Sequence, residues 1–413
     1  MITRRTATRL FAGTAVAAAM GSRISPVWAD DKVIKIGADL SLTGADAENS
    51  IRIKNGIVMA LDAANKDKAV PGYSLELMTL DDGTATAGQY DPAQAATNAR
   101  KMVSDPDVLA AVGPEMSGAG KAMAPILSQG DLATITPSST NPDITSPKFA
   151  EQFRPAGKLI YFRTVTTDAF QGPNMANFMA AKLNIKSVYI LDDSGAYGVG
   201  LADAYQRQIE KKGVKVLGRD RLDPKAADYS AVLTKIKSLE PEAMYYGGVS
   251  QAGIKLAKQA YDIIPGTIKA GGDGVQGATF LSGAGFPAVE GWYATIASPY
   301  LIGDTKAADF IKAYKERFGI SPINYSITAY DATLVIIDAI KRVAASGKPV
   351  TRDAIRDAIQ TAKVETVQGL ISFDENGDLA DRTVSVFQIK KDPAAPLDDV
   401  SAQYHYIAVA PQA

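Results

Sequence analysis

The 413-residue chain has no cysteine and a single histidine, His405, eight residues from its end. The first absence excludes thiol nucleophiles, thiolate metal sites and disulfides. The second leaves a serine triad, a histidine-rich zinc site and most imidazole acid–base schemes with one residue to share. His405 sits in a β-like run near the C-terminus and reads as a strand-end or surface histidine. Long apolar runs are also missing. The longest candidate, Leu10 to Met20, has 11 residues, where a bilayer-spanning helix needs about 20. Excess charge is absent too: 44 Lys and Arg face 45 Asp and Glu. Neither nucleic acid nor an anionic membrane surface is indicated as a partner.

What is present begins at the N-terminus. Arg4, Arg5 and Arg9 precede the apolar run, and Gly21, Pro26 and a small-residue exit at Val27-Trp28-Ala29 follow it. These are the three parts of a secretory signal peptide, which predicts cleavage near Ala29 and a mature protein outside the cytoplasm. Arg4-Arg5 fits twin-arginine export, but Thr6-Ala7-Thr8 lacks the apolar pair expected after it, so the route stays open. Losing residues 1–29, with four arginines and no acid, takes the net charge from −1 to −5. The 384 residues left suffice for two lobes with separate cores.

Past residue 32, short β-rich runs alternate with helical patterns. The first series has strands at 33–38, 73–80 and 108–112, with helices at 53–61, 92–104 and from a Ser117 cap to about 129. The second has strands at 187–191, 214–217, 243–246 and 268–271, with helices between them. Helices at 304–318, 324–345 and 351–361 come next, then β-like runs at 384–389 and 404–409. Such alternation predicts an α/β protein of two doubly wound lobes with mostly parallel sheets. Ligands bind outside the carboxyl ends of such strands, which makes the loops 41–50, 113–118, 136–141, 192–198, 247–251 and 271–276 candidates.

Several motifs fail on inspection. Gly118-Ala119-Gly120-Lys121 has Glu115 where a phosphate loop needs glycine and Ala122 where it needs Ser or Thr. Gly248-Val249-Ser250-Gln251-Ala252 ends in Ala where a nucleophile elbow needs Gly. Asp374-Glu375-Asn376-Gly377-Asp378 lacks the glycine and glutamate of a calcium loop and reads as a turn. Three loops remain. Gly113 to Gly118 joins a strand to a helix N-terminus, which suits a carboxylate. Ile135 to Pro142 offers hydroxyls, and Asp273 stands between glycines. Together they match the two ends of a zwitterion.

With those loops, Leu42-Thr43-Gly44, Asp81-Asp82, Asp168-Ala169-Phe170-Gln171-Gly172, Tyr197-Gly198 and Tyr245-Tyr246-Gly247-Gly248, in this order and spacing, the chain resembles periplasmic solute-binding proteins of the branched-chain amino acid type. The resemblance implies two Rossmann-like lobes joined by a three-crossover hinge, 30–166 with 298–384 and 167–297 with 385–413. It implies that Ser117 and Thr140 hold an α-carboxylate, and that the Ser138 carbonyl, Thr140 and Asp273 hold an α-ammonium. Tyr197 would close over the ligand from the second lobe, and Tyr325 would form an aromatic wall. Asn49 stands where the family often has an aromatic, Val249 where it has a tyrosine, and Met116 at one position of a disulfide this chain cannot form. The side-chain pocket is therefore rebuilt, with Glu48 or Arg52 as further polar contacts.

The expected protein is a non-enzymatic, periplasmic, monomeric binder that needs no cofactor. It would deliver an amino acid, small or aliphatic, to the membrane permease of an ABC importer. An amide, urea or aromatic acid in the same fold is the alternative. A carboxylate-dependent hydrolase using Asp81-Asp82 or Asp192-Asp193 is the reading from another class.

Overall fold

The computed structural model describes residues 31–413, so the proposed leader, residues 1–29 with its exit at Ala29, lies outside the described residues. Its strands are β1 Lys32–Leu40, β2 Tyr73–Asp81, β3 Val108–Val112, β4 Thr134–Thr136, β5 Tyr161–Arg163, β6 Ser187–Asp192, β7 Lys215–Arg221, β8 Ala243–Gly247, β9 Ile268–Gly271, β10 Tyr293–Ile296, β11 Val364–Thr366, β12 Gly369–Ile371, β13 Ser385–Ile389 and β14 Tyr404–Val409.

They form a five-stranded sheet in the order β2-β1-β3-β4-β5 and a seven-stranded sheet in the order β14-β13-β10-β9-β8-β6-β7. The first is parallel throughout. The second is parallel from β7 to β10 and ends in the antiparallel strands β13 and β14. Helices cover both faces of a parallel sheet, so its strands must be apolar on both sides. Val108-Leu109-Ala110-Ala111-Val112 and Val188-Tyr189-Ile190-Leu191 meet that demand and are buried or nearly so.

The helices follow local signals. Pro92–Ser104 starts with Pro at its first position, and the Asp91 side chain accepts the Ala93 N–H, a good N-terminus on both counts. Ser117 was expected to cap its helix. Instead Met116 occupies the cap position and Ser117 is the first helical residue, which frees the serine hydroxyl for other partners. Helix Ala47–Lys66 packs on helix Asn324–Ala345. A Cβ on Gly56 would lie 2.1 Å from the Ser326 carbonyl oxygen, so this crossing requires glycine. Arg352, opening helix Arg352–Gln360, donates to carbonyls of Met102, Val103, Asp105, Val108 and Gly130. Residues 308–360 thus belong with the first sheet although they follow the second in sequence. The chain passes between the sheet regions after β5, after β10 and between β12 and β13. This is the doubly wound α/β architecture expected, with three crossovers.

Candidate functional site

Strand order reverses beside the first strand of each sheet. β1 lies between β2 and β3, and β6 lies between β7 and β8. Loops that leave neighbouring strands there diverge and open a crevice at the carboxyl ends. From the first sheet, the stretch after β1 brings Asp46 and Asn49, the loop after β3 brings Glu115, Met116 and Ser117, and the loop after β4 brings Ser138. From the second, Tyr197 follows β6, Val249 follows β8, and Asp273, Gly274 and Gln276 follow β9. Tyr325, at the start of helix Asn324–Ala345, completes the wall. They line one small cavity, part of it open to solvent.

Asp273 is held from three directions. Tyr197 donates its hydroxyl to Oδ1 at 2.5 Å, Gln171 donates Nε2–H to the same oxygen at 2.9 Å, and the Tyr325 hydroxyl donates to Oδ2. Gln171 also donates to Asp168 Oδ1 and accepts from the Asp273 N–H and the Thr295 hydroxyl, so it fixes where the carboxylate points. Burial pushes the Asp273 carboxyl up, while hydrogen bonds from Tyr197, Tyr325 and Gln171 pull it back towards the charged form. Asp168 is driven well above its ordinary range, first by burial and then by the Asp273 charge. Burial and the Asp273 charge likewise keep the Tyr197 and Tyr325 hydroxyls protonated. A buried carboxylate with neutral donors and no cation beside it can accept a positive group from a ligand.

The loop after β4 is organised by its carbonyls. Thr328 donates to the Pro137 oxygen, Arg163 to those of Ser139 and Asn141, and the Asp168 N–H to that of Thr140. Among the described residues, the Ser138 carbonyl alone in this run has no hydrogen-bond donor. Thr136 Oγ1 draws the Ser138 and Ser139 N–H groups inward, and the Ser138 hydroxyl donates to the Glu115 carbonyl at 2.9 Å. Ser117 Oγ accepts from the Asn141 N–H. The first-turn N–H groups of its helix have no intrahelical partners and present a partial positive charge.

Of the nine residues selected from the sequence, Asn49, Met116, Ser117, Ser138, Tyr197, Val249, Asp273 and Tyr325 share this one wall. Thr140 stands behind it, fully buried, with no hydrogen-bond partner for its Oγ1 among the described residues. Glu48 and Arg52 do not line the cavity. Buried Arg52 instead bridges Glu48 Oε1 at 3.0 Å, Asp398 at 2.5 Å and the Ser321 carbonyl at 3.1 Å. Asn49 is committed to the opposite side: its N–H donates to Thr279 Oγ1, and its Oδ1 accepts the Thr279 N–H. Asn141 to the Ala196 carbonyl and Gln251 to the Ala87 carbonyl are further bonds between the two sheet regions.

Sequence reasoning missed Asp46, Glu115, Gly274, Gln276 and the positioning role of Gln171. The signal for Glu115 was an acid three residues past the end of β3, in a loop read only for its N–H groups and serine hydroxyl. Gly274 has a geometric cause, since a Cβ there would sit 2.2 Å from the Gly248 carbonyl oxygen.

The paired aspartates proposed for hydrolysis serve the loops. Asp81 accepts the Leu42 and Gly83 N–H groups, and Asp82 accepts the Ser41 hydroxyl. Asp192 pairs with Arg219 at 2.7 Å, and Asp193 accepts the Val249 and Gly195 N–H groups. Asp374 closes its own turn by accepting the Asn376 and Asp378 N–H groups. His405 lies exposed on β14, away from the cavity.

A family model described as periplasmic binding protein matches residues 33–394. The Leu/Ile/Val-binding protein homolog 3 of Brucella melitensis is 30% identical over 381 residues, 92% of this chain and 96% of the relative. The leucine-, isoleucine-, valine-, threonine-, and alanine-binding protein of Pseudomonas aeruginosa is 30% identical over 384 residues, 93% of this chain and 96% of that one. The crystal structure of a leucine binding protein, LivK, from Thermotoga maritima superimposes with a TM-score of 0.77 at 27% identity, covering 91% of this chain and 98% of that one.

Proposed function

The chain belongs to the periplasmic binding protein family, and from that premise we propose that it captures an α-amino acid between two lobes and delivers it to the permease of an ABC importer. It is a solute-binding protein, not an enzyme. One lobe comprises residues 30–166 with 298–384, the other 167–297 with 385–413. The leader is removed near Ala29, and the mature protein works in the periplasm as a monomer without nucleic acid.

The observation that carries this reading is the pairing of Asp273 with the Ser138 carbonyl. One is a carboxylate supplied only with neutral donors, the other a carbonyl left without a donor, and both lie on one cavity wall. An α-ammonium satisfies both. The α-carboxylate takes the N-terminus of helix Ser117–Gln129 and the Ser117 hydroxyl. Tyr197 and Tyr325 pack over the bound molecule. Because the ligand touches both lobes, it stabilises their closed arrangement.

Thermal unfolding of the refolded mature protein tests the reading, using amino acids, urea, short amides and benzoate-type acids. Ligand at a hundred times its dissociation constant adds about 2.7 kcal/mol. A melting shift with amino acids is the expected result. A shift confined to amides or aromatic acids would remove Asp273 from its assigned role.

A further inference from the structure

The cavity has a second acidic wall that the amino-acid clamp does not use. Asp46, from the stretch after β1, and Glu115, from the loop after β3, both line it, and both are buried, with 2% and 6% of their surfaces exposed. Neither bonds to Asp273, whose donors are Tyr197, Tyr325 and Gln171. Glu115 receives a hydrogen bond from the Ser50 hydroxyl on Oε2. Asp46 is buried, with the hydroxyl and N–H of Ser250 as neutral donors beside its carboxyl. Burial, and after it the Asp46 charge, push the Glu115 carboxyl well above its usual range. With Asp273 the cavity wall carries three carboxyl groups, and none of its lining residues is Lys, Arg or His.

A zwitterion held by Asp273 at its ammonium and by neutral donors at its carboxylate leaves Asp46 and Glu115 without a positive counterpart. Buried carboxyl groups that lack one are costly. The only element that can supply it from within the cavity is the ligand itself.

Resting on the amino-acid reading above, we propose that Asp46 and Glu115 receive a cationic side-chain terminus, so that the preferred ligand is a basic α-amino acid with an ammonium or guanidinium group. The Asp46 and Glu115 carboxyls take its N–H donors, while Asp273 keeps the α-ammonium. The wall elsewhere is Met116, Val249 and Tyr325, which suits the methylene stem of such a side chain.

The test is calorimetric titration of the refolded mature protein with matched pairs that differ in the terminal charge: ornithine against norvaline, lysine against norleucine, and arginine against citrulline. The expected result is a preference for the charged member of at least one pair by tenfold or more, the scale of a charge-assisted hydrogen bond. In E115Q and D46N, both close in shape to the parent, that preference should fall several-fold. Amino-acid binding in which every neutral member equals or exceeds its charged partner overturns this inference and leaves the amino-acid reading standing. The same holds if the preference survives in both variants. Absence of binding by all six compounds, together with binding of an amide or aromatic acid, overturns the amino-acid reading and this inference with it.

Discussion

Replacing Asp273 by Asn tests the clamp with the least disturbance of shape. Oδ1 retains the Tyr197 and Gln171 donors, and the Tyr325 hydroxyl, which faces Oδ2, can turn to accept from the new amide. Only the charge is lost. A hydrogen bond to a charged partner contributes about 1.5–3 kcal/mol, so amino-acid affinity should fall roughly tenfold to a hundredfold. With ligand at a hundred times the parent's dissociation constant, the parent gains about 2.7 kcal/mol, and a variant weakened a hundredfold gains about 0.4 kcal/mol. At about 2 °C per kcal/mol, that is a melting shift of roughly 5 °C against 1 °C. The ligand-free control should move the other way or not at all. Burial holds the Asp273 carboxyl above its usual range, so ionising it costs the folded protein, and removing the charge should not lower its melting point. Retention by D273N of the parent's full shift for every amino acid would refute the reasoning.

Three other outcomes follow from the same geometry. Tyr325→Phe deletes one Asp273 donor and should weaken amino-acid binding by about three- to tenfold, the value of one net hydrogen bond, read by calorimetry. Arg52→Ala removes a buried guanidinium that bridges Glu48, Asp398 and Ser321. Because both carboxylates are about one-third exposed, the cost should be about 1–2 kcal/mol, measured by urea unfolding. Asp46, Asp82 and Asp193 are each pushed up to about 6, chiefly by burial. Folding therefore binds protons between about pH 4 and 6, and the stability these groups confer in acid is lost as pH rises through 6. The ligand-free protein should melt higher at pH 5 than at pH 7, with a smaller difference in Asp46→Asn; a higher melting point at pH 7 would refute the assignment.

Much of the fold was legible because parallel sheets impose a simple pattern. Pro92–Ser104, Val108–Val112, Asn324–Ala345 and Tyr404–Val409 were read with the bounds observed. The missed elements were short or atypical. β5 has three residues, too few for periodicity to register. Helix Asp168–Ala181 is buried around most of its circumference and contains a proline, so it has little amphipathic signature. Eight of the nine chosen residues meet on one wall because the loops after strands converge wherever strand order reverses. The family resemblance implies a ligand contact for Thr140, but a matching loop position does not set the side chain's direction, and Thr140 is fully buried behind the wall. Arg52 illustrates the converse: a helix position near the cleft carries an arginine whose partners, Asp398 and Ser321, are hundreds of residues away. Asp46 and Glu115 were passed over because an isolated acid after a strand usually caps a turn, and only their shared burial sets them apart.

The most direct test of the central claim is calorimetric titration with a bound amino acid and two analogues, one lacking the α-ammonium and one lacking the α-carboxylate. A clamp built from Asp273 and the Ser138 carbonyl at one end and the Ser117 helix terminus at the other predicts tight binding only when both groups are present, with each analogue weakened at least tenfold. A carboxylic acid that binds as tightly without its ammonium would contradict it.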